Sequence, residues 1–120
     1  MSRTYTLHEA RQALRALRPA LDDMIVVRAD LAELTAAMQS GGASPLGGLP
    51  ELKAAQARFD ELLSAVIAAD VQVKGVAPLL IDFPAGPDDD HVLWCWLEGD
   101  PDLRWYHRAD LGFLGRRPVR

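Results

Sequence analysis

Three side chains in the last third of the chain have the chemistry to hold a metal ion or activate a nucleophile: His91, Cys95 and His107. His91 and Cys95 lie in one run, His91-Val-Leu-Trp-Cys-Trp-Leu97. Read as a strand, the run puts His91, Leu93, Cys95 and Leu97 on one face and Val92, Trp94 and Trp96 on the other. A turn centred on Gly99 and Asp100 would set Leu97 opposite Leu103, Cys95 opposite Trp105 and Leu93 opposite His107. His91, Cys95 and His107 would then share a face, and two imidazoles with a thiolate are sufficient ligands for zinc with one open position. Cys95 and His107 could instead form an activated thiol pair, with Asp82 completing the site and Arg116 as an anion clamp.

The spacing weighs against both readings. The chain has no Cys-x-x-Cys or His-Glu-x-x-His pattern, and a one-residue slip would send His107 to the opposite face. A lone strand cysteine usually packs as a small hydrophobe. The expectation is therefore no cofactor, with zinc as the minor alternative, and the sequence leans away from an enzyme. Asp82, between Ile81 and Phe83, either points to solvent, pairs with Arg116 or Arg117, or lines a site. Asp88-Asp-Asp90 lacks the alternating spacing of a calcium loop and reads as a solvated turn. His8 falls on an exposed helix face and reads as inert.

Charge and aromatics converge on the same third. Residues 82–102 carry seven acidic side chains and no basic one, whereas residues 103–120 carry five arginines and one acid, Asp110. Six of the eight aromatics lie between Phe83 and Phe113. Trp94, Trp96, Trp105, Tyr106, Phe113, Arg116 and Arg117 are the candidate binding residues, suited to a partner surface or a small anionic ligand. The arginine-rich end could grip single-stranded nucleic acid, but its expected use is internal, and the net charge of −4 argues against a general nucleic-acid binder.

The elements that must position these residues follow from periodicity. Thr6-Leu7-His8-Glu9 is a capping box, in which threonine hydroxyl and glutamate carboxylate each accept from the other's backbone N–H. Leu7, Ala10, Leu14, Leu17, Leu21, Met24, Leu31 and Met38 then mark one helical face, with Arg28 at its edge. The stripe keeps its phase across Pro19, which favours one kinked helix from about 7 to 39 over two helices. Residues 40–49 form a Gly-rich loop, and Pro50 suits the first turn of a second helix. Leu52, Ala55, Phe59, Leu62, Val66 and Ala69 carry that helix's stripe. An antiparallel helical hairpin buries both stripes; pairing with a second chain as a coiled coil is the alternative.

From Asp70 the period changes to that of strands, with runs at 71–73, 79–83, 91–97 and 103–107 separated by turns, and Gly112 and Gly115 mark an irregular end. The layout is α+β: a long kinked helix and a second helix forming a hairpin, packed on a small antiparallel β-meander. One domain of 120 residues is expected, with a helical part to residue 69 and an aromatic-rich part from 70. Both faces of strand 91–97 are apolar, so helices must cover one while the C-terminal tail, a partner or a ligand covers the other. A single cysteine, a start without a signal-type apolar stretch and the absence of any run near 20 apolar residues suit the cytoplasm.

Several strings together resemble a small prokaryotic family, domain of unknown function 2203. They are Tyr5-Thr6-Leu7-His8-Glu9-Ala10, Ile81-Asp82-Phe83-Pro84, Leu93-Trp94-Cys95-Trp96 with Gly99, Trp105-Tyr106-His107, and Gly112-Phe113-Leu114-Gly115-Arg116-Arg117-Pro118. The resemblance implies a long helical region followed by a compact aromatic-rich unit, and it brings no established activity. Positions matching the pattern are Asp82, Cys95, Trp96, His107, Gly112, Phe113, Gly115 and Arg116. In the pattern an acid follows the histidine, where this chain has Arg108, so a site using that acid would be altered here. The expected function is a cytoplasmic, non-catalytic interaction or ligand-binding protein, joined to a homo-oligomer or partner protein. A metal-dependent or thiol enzyme built on Cys95, His107 and Asp82 is the alternative, and a weak nucleic-acid binder the third.

Overall fold

The computed structural model describes residues 3–89 and 91–120. Two α-helices, α1 (Leu7–Gln39) and α2 (Leu49–Ile67), precede β1 (Gln72–Val76), β2 (Leu79–Pro84), β3 (Val92–Leu97), β4 (Trp105–Arg108) and β5 (Arg117–Pro118). The strands pair antiparallel in sequence order, so the sheet is a five-stranded meander. The fifth strand and the short 3-10 turn before it (Phe113–Gly115) lie in the segment expected to be irregular.

The described residues fall into two compact units. One joins the N-terminal segment up to Arg18 to the chain from Val66 onward, and the other is Pro19–Ala65. In the helical unit, α2 turns back beside α1, with Arg58 of α2 reaching Asp23 of α1 at 3.7 Å and Ser44 of the loop donating to Glu33 at 2.9 Å. Leu21, Met24, Leu34 and Leu62 are its buried apolar residues. Leu34 is buried where the heptad reading expected Met38, which is exposed. The buried face of α1 is therefore rotated in its second half relative to the heptad stripe. Pro19 lies inside α1, and the helix continues through it.

The sheet unit begins with the capping box as expected: Thr6 N–H donates to Glu9 Oε1 at 2.9 Å and Glu9 N–H to Thr6 Oγ1 at 3.1 Å. Just before it, Tyr5 N–H donates to the Pro84 carbonyl at 2.7 Å and Gly86 N–H to the Tyr5 carbonyl at 3.2 Å, tying the N-terminus to the end of β2. The Tyr5 hydroxyl donates to the Ala69 carbonyl, and burial pushes its pKa up. The Tyr5 ring meets Phe83 edge-on at 5.6 Å, and the Arg18 guanidinium lies 5.3 Å from the Trp96 ring. The N-terminal segment therefore covers the sheet face that carries Phe83 and Trp96. Among the described residues, no helix is long and apolar enough to cross a membrane.

Candidate functional site

The register places the reactive side chains. Asp82 of β2 pairs with Cys95 of β3, Cys95 with Trp105 of β4, and Leu93 with His107. Paired residues project to the same side, so Asp82, Cys95, Trp105 and His107 share the face opposite Phe83 and Trp96. The tail crosses this face: the Arg116 guanidinium lies 4.7 Å from the Trp105 ring and 5.3 Å from Phe113, and Nη2 donates to Asp100 Oδ2 at 2.7 Å. That crossing depends on Gly112, whose φ of 66° and ψ of −163° fall in a region essentially closed to residues with a Cβ.

One ligand atom from each of Asp82, Cys95 and His107 lies within 4.8 Å of the others, and all three residues are buried. Asp82 therefore does not point to solvent, nor does it pair with Arg116 or Arg117. It sits on the covered side of a central strand, and its Oδ2 is 3.0 Å from His107 Nε2 and 3.8 Å from Lys74 Nζ. His91 does not join the cluster. It is an exposed turn residue, because β3 begins one position later at Val92. Asp90 of the acidic triplet lies outside the described residues.

Hydrogen bonding constrains the histidine. His107 Nδ1 is 2.9 Å from the Arg108 carbonyl oxygen, which can only accept, so Nδ1 carries hydrogen. Nε2 then faces a carboxylate oxygen, and two lone pairs at 3.0 Å need a cation between them, either a proton or a metal ion. The other carboxylate oxygen, Asp82 Oδ1, is buried with no partner that meets hydrogen-bond geometry. The Cys95 thiol is pushed up to about 12, first by burial and then by the charge and hydrogen-bond acceptance of Asp82. A fully buried thiol of that acidity is a poor nucleophile, which disfavours unassisted thiol catalysis.

Lys74 is the member that sequence reasoning missed. Gln72 of β1 pairs with Asp82, and strand alternation puts Lys74, two residues on, on the same side, with its Nζ 3.8 Å from Asp82 Oδ2.

The other expected binding residues divide between the two faces. Trp96 is buried and donates from Nε1 to the Asp100 carbonyl at 2.9 Å, so it serves the core. Trp105 and Phe113 hold the Arg116 guanidinium, whose ion pair with Asp100 engages it internally and removes it as a free anion clamp. Arg117 is exposed on β5 opposite Tyr106. Trp94 and Tyr106, with ring centroids 6.3 Å apart, line a cleft of about 320 Å³ on the opposite face from the Asp–Cys–His cluster. Val92 and Val119 add apolar wall, and Asp89 and Arg120 bring one charge of each sign.

These features define an α+β protein in which a two-helix segment is followed by an antiparallel meander enclosing a buried Asp–Cys–His cluster. A family model described as an uncharacterized conserved protein (DUF2203) matches residues 3–119, and the chain belongs to that family. No curated protein and no solved structure matches it.

Proposed function

We propose that the chain is a non-catalytic, cytoplasmic ligand-binding protein whose ligand has an apolar aromatic body and carries both charges. The observation that supports this reading is the cleft lined by Trp94, Tyr106, Val92 and Val119, with Asp89 and Arg120 among its walls. Its volume of about 320 Å³ falls at the lower end of small-molecule sites, where apolar walls with a few polar groups set orientation. The paired charges suit a zwitterion better than the simple anion expected from the arginine count, because Asp89 would repel a second negative group.

Tryptophan fluorescence tests this with three probes of one shape: L-phenylalanine, 3-phenylpropionate and phenethylamine. L-Phenylalanine is expected to give a saturable change, stronger than either singly charged probe, and Tyr106→Ala and Arg120→Ala are expected to weaken it. A saturable response to none of the three, or one unchanged in Tyr106→Ala, overturns the reading. Association with a second copy or a partner protein belongs to the same proposal, and native mass spectrometry of the purified chain reads the subunit number directly.

A further inference from the structure

Asp82, Cys95 and His107 stand apart from the cleft, on the other face of the sheet, and their arrangement asks for a cation. A proton between His107 Nε2 and Asp82 Oδ2 satisfies those two atoms alone. It leaves Asp82 Oδ1 buried without a hydrogen bond of good geometry, and the Cys95 sulfur lies within 4.8 Å of an oxygen of the same carboxylate. We propose that Asp82, Cys95 and His107 form a binding site for a divalent first-row transition ion of the zinc type, held by one oxygen, one sulfur and one nitrogen.

Four observations support the assignment. The donor set mixes thiolate, imidazole and carboxylate, which suits Zn²⁺ and is wrong for Mg²⁺ or Ca²⁺. The three ligand atoms lie within 4.8 Å of one another, and tetrahedral zinc bonds of ~2.0–2.3 Å place ligands ~3.3–3.8 Å apart. The widest separation must therefore draw in by at most about 1.5 Å. Third, the Nδ1–H of His107 is committed to the Arg108 carbonyl at 2.9 Å, which turns the Nε2 lone pair toward the cluster as metal-bound histidines require. Fourth, the ligands come from three adjacent strands, β2, β3 and β4, whose pairing holds them in place without a loop to order. Three protein donors leave a fourth position for water.

Charge accounting supplies a distinctive test. The thiolate of Cys95 and the carboxylate of Asp82 together balance the double charge of the ion. Lys74, whose Nζ lies 3.8 Å from Asp82 Oδ2 on a half-exposed side chain, competes with the ion for that carboxylate. Removing it should tighten metal binding, which no general loss of folding would mimic.

The experiment is a Co²⁺ titration of the full chain, pretreated with a chelator, followed by visible and near-ultraviolet absorption. One equivalent is expected to produce tetrahedral ligand-field bands with a thiolate-to-cobalt charge-transfer band, both lost on adding one equivalent of Zn²⁺. Cys95→Ser should abolish the charge-transfer band, and Lys74→Met should tighten Co²⁺ binding severalfold. Absence of the charge-transfer band in folded wild-type protein with stoichiometric Co²⁺ overturns the proposal without recourse to any variant. So does a band that survives in Cys95→Ser.

Discussion

Replacing Asp82 probes the buried cluster most directly, because two substitutions that look similar should behave differently. Asp82 and His107 side chains are 1% and 3% exposed, and their contact is 3.0 Å. Asp82→Ala leaves His107 Nε2 buried with no partner, and breaking one side of such a pair costs about 3–5 kcal/mol. Asp82→Asn keeps the shape. Because Nδ1 holds its hydrogen on the Arg108 carbonyl, a neutral imidazole presents an Nε2 lone pair, and the asparagine amide can turn its NH₂ to donate to it. The remaining loss is the charge, about 1–2 kcal/mol. The Lys74 contact adds less than about 1 kcal/mol because that side chain is 45% exposed. Against a total stability of about 5–15 kcal/mol, the two variants should separate clearly. Urea unfolding of chelator-treated protein, followed by tryptophan emission, gives the midpoints, and all three tryptophans report on the sheet unit. Equal losses for Ala and Asn, or an Ala variant within about 1 kcal/mol of wild type, would refute the tautomer argument behind the cluster.

Cys95 is wholly buried and its thiol is raised to about 12, so a disulfide reagent such as Ellman's should label it only through unfolding, at a rate that climbs with urea. Prompt stoichiometric labelling of the native chain would contradict this. The raised value also sets a sign: the folded state keeps the thiol proton after the unfolded chain has lost it. Stability attributable to Cys95 is intact below the unfolded value near 9 and falls as pH rises toward 12, by about 1.4 kcal/mol per pH unit. Cys95→Ala should flatten that alkaline limb. At the start of α1, Thr6→Ala should cost about 1 kcal/mol in urea unfolding through the lost cap. Glu9 is held below its usual range, chiefly by the Thr6 backbone hydrogen bond, so its contribution is present above the unfolded value and fades as acid reaches the folded one. Glu9→Gln should remove that acid dependence.

Local patterns carried the elements. The Thr6–Glu9 capping box, the helical stripe from Leu7, the loop at 40–49, Pro50 at the second helix and the strand run 91–97 are short-range features, each set by neighbours within a turn or a strand. Strand pairing was legible only as a supposition about the Gly99–Asp100 turn, and the observed partners of Cys95 and Leu93 are Trp105 and His107. Beyond that the chain could not be read locally. Burial of Asp82 depends on β1 and β3 flanking β2, and the same pairing of β1 brings Lys74 to its carboxylate.

Composition and periodicity by themselves determined the α+β class, the place of each helix and the concentration of reactive groups after residue 80. Only the tertiary structure decided which of those groups meet. It left His91 in an exposed turn, brought Asp82 to Cys95 and His107, and set Arg116 on Trp105 with Asp100 rather than on Asp82. The physical reason is that helix and strand propensity act over a few residues. A site assembled across β2, β3 and β4 is specified by register, and a one-residue slip would have scattered it across both faces of the sheet.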